Sequence, residues 1–300
     1  VIGVVATFLA VGSFGVAISA GVTAAAIVTG TINVGSSPEG LAVNPAGTYA
    51  AGTYAYVTNN NDGTVSVLNL STNTVTQTIT VGNDPTDVAF NPAGTTAYVT
   101  NMGDSTVSVI NLATNTVTHT ITGVGNEPND IAINPAGYAY VTDNNANVVT
   151  VINTNTNAVS NTIGVGDVTT GVAVNPAGPY AYVAHSNGNT VSVINTNTNT
   201  VSATITVGSD PFDVATNANG TYAYVTNINA NTVSVINLLT NAITATITVG
   251  GNPYDVAFNP AVTLAYVTNS FDGTVSVVSK VDAPGTPGQP TATAGTPPRP

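Results

Sequence analysis

An Ala-Tyr-Val element returns every 42 residues, its tyrosine standing at Tyr56, Tyr98, Tyr140, Tyr182, Tyr224 and Tyr266. A second marker keeps the same interval, with Thr64, Thr106, Val148, Thr190, Thr232 and Thr274 each opening a TVSV-like run. Six tyrosines in one register restrict the chain to an array of equivalent units. A period of ~40 to 45 residues carrying several short β-branched runs fits a four-stranded propeller blade. Helical repeats would need apolar residues at about 3.6-residue spacing, and that pattern is absent from residue 27 onward.

The second repeat shows the four strands predicted for each unit. Strand a covers Asp87 to Phe90, and Asn91-Pro92-Ala93-Gly94 turns the chain into strand b, Thr96 to Thr100. The Asn101 to Ser105 loop leads to strand c, Thr106 to Asn111, and a hairpin around Ala113 to Asn115 gives strand d, Thr116 to Thr122. Small Ala, Ser and Thr alternate with Val, Ile and Tyr, as expected when both faces of a blade pack against neighbours. The tyrosines then belong to the core and not to a ligand site. Six such units account for residues 27 to 279. The sixth ends after strand c at Val278, while an orphan strand d, Ala26 to Val34, precedes the first. That orphan is expected to close the ring as the outer strand of blade six, leaving no edge unpaired. In blade one the segment Ala46 to Ala50 is duplicated as Ala51 to Ala55, a lengthened surface hairpin that costs little.

AYVTN followed by TVSVIN, with DPxDVAxNPAG before it, resembles the YVTN-type propeller repeat of archaeal surface-layer proteins and other microbial surface proteins. The resemblance covers roughly residues 27 to 279. It implies a surface role, structural or adhesive, and the family's well-known members have seven blades where this chain counts six.

Charge narrows the partners. Only Lys280 and Arg299 are basic against fourteen acids, so no patch exists to neutralise phosphates, and nucleic acid is excluded as a partner. With 5% charged residues, solubility rests on Asn, Thr and Ser. The absence of cysteine removes disulfides, thiolate metal sites and thiol catalysis.

Strand polarity sorts the loops onto two faces, d-to-a with b-to-c loops on one, a-to-b with c-to-d turns on the other. Thirteen of the fourteen acids fall on the first face: Glu39, Asp84, Asp87, Glu127, Asp130, Asp167, Asp210, Asp213 and Asp255 at d-to-a junctions, and Asp62, Asp104, Asp143 and Asp272 at b-to-c turns. Asp87, Asp130, Asp213 and Asp255 share one repeat position at the start of the innermost strand, where Gly40 and Gly171 stand in blades one and four. Four carboxylates there, in two pairs across the channel mouth, form a candidate ring for calcium or another hard cation. The competing reading is that each Asp caps a local turn through its own backbone, and it is the favoured one.

No enzyme is expected. His119 sits on an outer strand where other repeats have Gln77, Asn161 or Ala203, and His185 replaces the Asn that ends strand b, as a turn variant. Two glycosylation sequons occur, at Asn69 and Asn219, both on the neutral face.

Residues 1 to 28 carry no charge and no proline. As a helix, the first 26 would extend about 39 Å, against a hydrocarbon core of about 30 Å. A cleavable signal, a stable anchor and the assembly helix of a pilin-like subunit compete. The start Val1-Ile2-Gly3-Val4-Val5, with neither methionine nor basic n-region, resembles archaeal type IV pilins after leader removal. Val281 to Pro300, with six prolines, reads as an extended spacer.

The sequence thus predicts an all-β, six-bladed propeller over residues 26–280, closed by an N-terminal strand. One hydrophobic α-helix over 1–25 precedes it and a tail over 281–300 follows. The expected function is that of an extracellular structural protein, a subunit of a pilus-like surface filament displaying a propeller head. The alternative is a membrane-anchored or surface-layer adhesin. Expected partners are copies of itself through residues 1–26 and a cell-surface or polysaccharide target. No cofactor is expected beyond calcium at the Asp ring.

Overall fold

The computed structural model describes residues 31–44, 54–259 and 262–279. They form six antiparallel sheets in chain order, five of four strands and the last of three. Blade two comprises Pro85–Phe90, Thr96–Asn101, Thr106–Asn111 and Thr116–Thr122, so strands c and d fall where the sequence puts them and strand a starts two residues earlier. Alternation of β-branched and small residues makes these strands, and Asn residues at positive φ make the turns. Asn115, Asn157, Asn199 and Asn241 adopt φ of 51–53° in the c-to-d hairpins, a conformation Asn tolerates better than most residues. The expected helix over residues 1–25, the duplicated hairpin and the tail lie outside the described residues. Among the described residues the one helical turn is Asn60–Asp62.

The core lies between blades. Tyr56, Val65, Val67 and Ile79 of blade one pack on Val88, Ala97, Val99 and Ile110 of blade two, and the arrangement repeats around the array. Burial of these branched side chains, each worth ~1.5–3 kcal/mol, is the main term joining one blade to the next. Threonines of strand b add polar bonds. Thr58 Oγ1 donates to the Thr86 carbonyl at 2.9 Å, Thr142 Oγ1 to that of Thr170 at 2.8 Å, and Thr226 Oγ1 to that of Tyr254 at 2.9 Å.

The seam between blades six and one differs from the other junctions. Val275 and Val277 are 42% and 51% exposed, whereas their counterparts Val65 and Val67 are 0% and 1%. Among the described residues Thr268 makes no bond to blade one. On the other side of the seam, Ile32 and Val34 cover Ala55, Val57 and Leu68. They stand at the repeat positions of Ile79 and Val81, which lie between blades one and two. Gly35 N–H bonds Asn59 Oδ1 at 2.9 Å, as Gly82 N–H bonds Asn101 Oδ1 at 3.1 Å. The chain therefore enters blade one as the end of a strand d does. Thr31–Val34 is not itself a strand, and residues 26–30 of the expected closing strand lie outside the described residues.

Candidate functional site

The d-to-a and b-to-c loops do share a face, and the acids of the b-to-c turns tie them together. Asp62 accepts from Ser36 N–H at 2.7 Å, Asp104 from Asn83 N–H at 2.8 Å, Asp143 from Asn126 N–H at 2.6 Å and Asp272 from Gly251 N–H at 2.6 Å. Each carboxylate satisfies a loop amide that no ladder reaches, a charge-assisted bond.

At the channel, the inner-strand aspartates act between blades. Asp87 Oδ2 accepts from Ile131 N–H in blade three at 3.2 Å, Asp130 Oδ2 from Val172 N–H in blade four at 2.6 Å, and Asp213 Oδ2 from Val256 N–H in blade six at 3.0 Å. The local reading holds in part, because Asp130 Oδ1 also accepts from the adjacent Ile131 N–H at 2.7 Å. The glycines of blades one and four have a packing reason. A Cβ on Gly40 would lie 2.6 Å from Asp87 Cα, and one on Gly171 2.8 Å from Asp213 Cα.

The four aspartates are brought together as neighbouring pairs. Asp87 lies beside Asp130, and Asp213 beside Asp255, close enough for the carboxyl groups to interact. Asp87, Asp130 and Asp213 are half-buried in area but crowded by the inner strands. Burial pushes Asp87 up to about 6 and, with the neighbouring carboxylate, raises Asp130 and Asp213 well above the usual carboxylate range. Among the described residues no three His, Asp or Glu side chains converge as a metal would need.

Beside the aspartates runs a relay of polar bonds. Thr86 Oγ1 donates to the Asn129 carbonyl at 2.6 Å, Asn129 Nδ2 to that of Thr170 at 3.3 Å, and Thr170 Oγ1 to that of Pro211 at 3.2 Å. In blades five and six the relay gives way to Phe212 and Tyr254, whose rings lie 4.0 Å apart.

His185 is a correction to the sequence reading. It is not a turn variant: it is the last residue of strand b, 1% exposed, with Nε2 2.8 Å from Ser192 Oγ. Asn101 fills the same position in blade two and donates to Ser108 Oγ at 3.0 Å. The His–Ser pair is therefore a core bond in an Asn–Ser position, and Ser192 at 2% exposure is closed to any substrate. Burial lowers the His185 pKa. His119 is exposed, as expected. Asn69 is half-buried, its Oδ1 accepting from Ser71 N–H at 2.8 Å, and Asn219 is exposed in a hairpin turn.

With this geometry established, comparison places the chain. The sequence profile of a family described as YNCE-like beta-propeller matches residues 17–168, half of the chain. The chain belongs to the YNCE-like beta-propeller family. Over 57 residues this YNCE-like chain is 49% identical to PE-PGRS family protein PE_PGRS18 of Mycobacterium tuberculosis (strain ATCC 25618 / H37Rv), a match covering 19% of the chain and 11% of that relative. The match thus spans about a tenth of that relative's length. Kuenenia stuttgartiensis hydrazine synthase superposes with a TM-score of 0.76 at 21% identity, over 85% of this chain and 86% of that one. A functionally unknown protein from Desulfotomaculum acetoxidans DSM 771 superposes at 0.66 with 19% identity, over 75% and 78%. At these identities the likeness is one of fold alone.

Proposed function

We propose that this YNCE-like propeller is a non-catalytic structural head displayed outside the cell, carried on surface filaments assembled through residues 1–26. The observation that carries the reading is the use made of its polar groups. Asp87, Asp130 and Asp213 each bond an amide of the next blade, and the His185–Ser192 pair is closed inside blade four, which supports a scaffold and not a catalyst. No cofactor is assigned, and the channel carboxylates serve as staples between blades instead of cation ligands.

The charge-free run of residues 1 to 28 supports assembly, because an apolar stretch of this length in water would associate. Gly12, Gly15, Ser19 and Gly21 would let helices approach closely. Electron microscopy of the full chain carrying Val11→Asp or Val16→Asp tests the assembly. Loss of filaments with the strand signal of the propeller retained supports it. Filaments that persist, or a wild-type chain that stays monomeric in lipid, would favour an anchored adhesin.

A further inference from the structure

On the neutral face, a groove of about 600 Å³ opens between blades three and four. Its origin lies in one hairpin. Asn134 N–H bonds the Tyr138 carbonyl across the a-to-b turn, whereas Asn91, Asn175, Asn217 and Asn259 each reach one residue further, to Thr96, Tyr180, Tyr222 and Leu264. Blade three therefore has the shortest of these turns, and the groove runs beside it.

The lining has a definite chemistry. Tyr138 supplies an aromatic ring, Pro135 and Pro179 supply apolar edges, and Asn161, Asn197 and Asn199 supply amides. No charged side chain lines it. Asn199 Oδ1 is used by the Tyr140 hydroxyl at 3.1 Å and Asn161 Oδ1 by Thr162 N–H at 2.9 Å. Asn197 N–H bonds Asn195 Oδ1 at 2.9 Å, but among the described residues the Asn197 side-chain amide makes no hydrogen bond and the Nδ2 groups of Asn161 and Asn199 make none, so donors and an acceptor are open to a ligand. The combination is special to this junction. The equivalents of Tyr138, Asn161 and Asn197 are Thr96, His119 and Asn155 between blades two and three, and Tyr180, Ala203 and Leu239 between blades four and five.

We propose that this groove binds a neutral saccharide chain, an assignment that rests on the surface reading for the availability of its ligand. A pyranose ring offers an apolar C–H face to an aromatic side chain and a rim of hydroxyls that both donate and accept, the complement of one tyrosine among asparagine amides. The volume lies within the ~300–1,000 Å³ of small-ligand clefts. The absence of charge in the lining selects against uronic acids and phosphorylated sugars, which would lose hydration without an ionic partner.

The test is calorimetric titration of the full chain with cellohexaose, maltohexaose and mannohexaose, and with hexagalacturonate as the charged probe. Binding of a neutral hexasaccharide, lowered at least about tenfold by Tyr138→Ala and by Asn197→Ala but unchanged by Tyr180→Ala, supports the site. Asn197 is exposed, so its variant keeps the test valid if Tyr138→Ala does not fold. Failure of all three neutral probes, a preference for hexagalacturonate, or indifference to both groove variants overturns it. Fractionation of the producing cells separates the two claims. A surface-located chain that binds no saccharide refutes the groove alone, and a saccharide-binding chain confined to the cytosol refutes the surface reading alone.

Discussion

Tyr98 of blade two donates its hydroxyl hydrogen to Asn157 Oδ1 of blade three at 2.7 Å, across an interface in which the tyrosine ring is 1% exposed. Tyr140 reaches Asn199 at 3.1 Å and Tyr182 reaches Asn241 at 2.9 Å in the same way, and Tyr56 bonds Asn115. Each bond joins a blade to the c-to-d turn of the next, and the receiving Asn is the residue that holds the turn at positive φ. One asparagine thus shapes a hairpin and closes a blade junction.

Tyr98→Phe keeps the buried ring and removes the bond, leaving Asn157 to solvent at its exposed rim. The expected loss is about 1 kcal/mol, or roughly 2–4 °C in melting temperature for a domain of this size. Asn157→Ala removes the turn preference as well and should cost more. Thermal unfolding by circular dichroism ranks the two, and equal losses would show that the turn conformation contributes nothing.

The channel aspartates make stability depend on pH in one direction. The folded-state pKa values of Asp87, Asp130 and Asp213 are raised, to about 6 for Asp87, so the folded chain binds more protons than the unfolded one. Their contribution is full below the unfolded value near 4 and is lost as pH rises through about 6 and above. Asp87→Asn keeps an acceptor for Ile131 N–H and removes the ionisation. It should stabilise the chain at pH 7.5 by about 1 kcal/mol, allowing for solvent screening in the channel, and should give no gain at pH 4. Urea titrations at the two pH values check the sign. Added calcium should not alter the difference between parent and the Asp87→Asn, Asp255→Asn double variant if these groups are staples.

His185 acts in the opposite sense. Its pKa is lowered by burial, so the folded state prefers the neutral ring. The stability is present above the unfolded value near 6.5 and is lost as pH falls below it. His185→Asn restores the side chain found at Asn101 and Asn227, keeps a donor toward Ser192, and should flatten the stability profile between pH 6.5 and 5. A profile unchanged by the substitution would mean that burial does not lower the His185 pKa.

Much of the architecture was legible because the repeat fixes it. The interval between tyrosines defines the blade, and the NPAG and TNTN segments mark turns through the φ preferences of Gly and Asn. Polarity then placed thirteen acids on one face, and the bonds from Asp62, Asp104, Asp143 and Asp272 to loop amides show why those carboxylates are there. The pairing of Asp87 with Asp130 was not legible. It depends on how closely neighbouring inner strands approach, and only Gly40 and Gly171 hinted at that approach. Burial of His185 could have been read from its register with Asn101, since a residue in that column points into the blade junction whatever its chemistry. The groove beside Tyr138 follows from a single missing residue between Asn134 and Tyr138, visible only when the hairpins are compared.

The surface reading is tested most directly by immunogold electron microscopy of intact producing cells, with an antibody raised against the propeller face carrying Asp104 and Asp272. The account predicts gold along filaments outside the cell, lost when Val11→Asp is introduced. Gold confined to the cytoplasm, with none at the surface before permeabilisation, would contradict it.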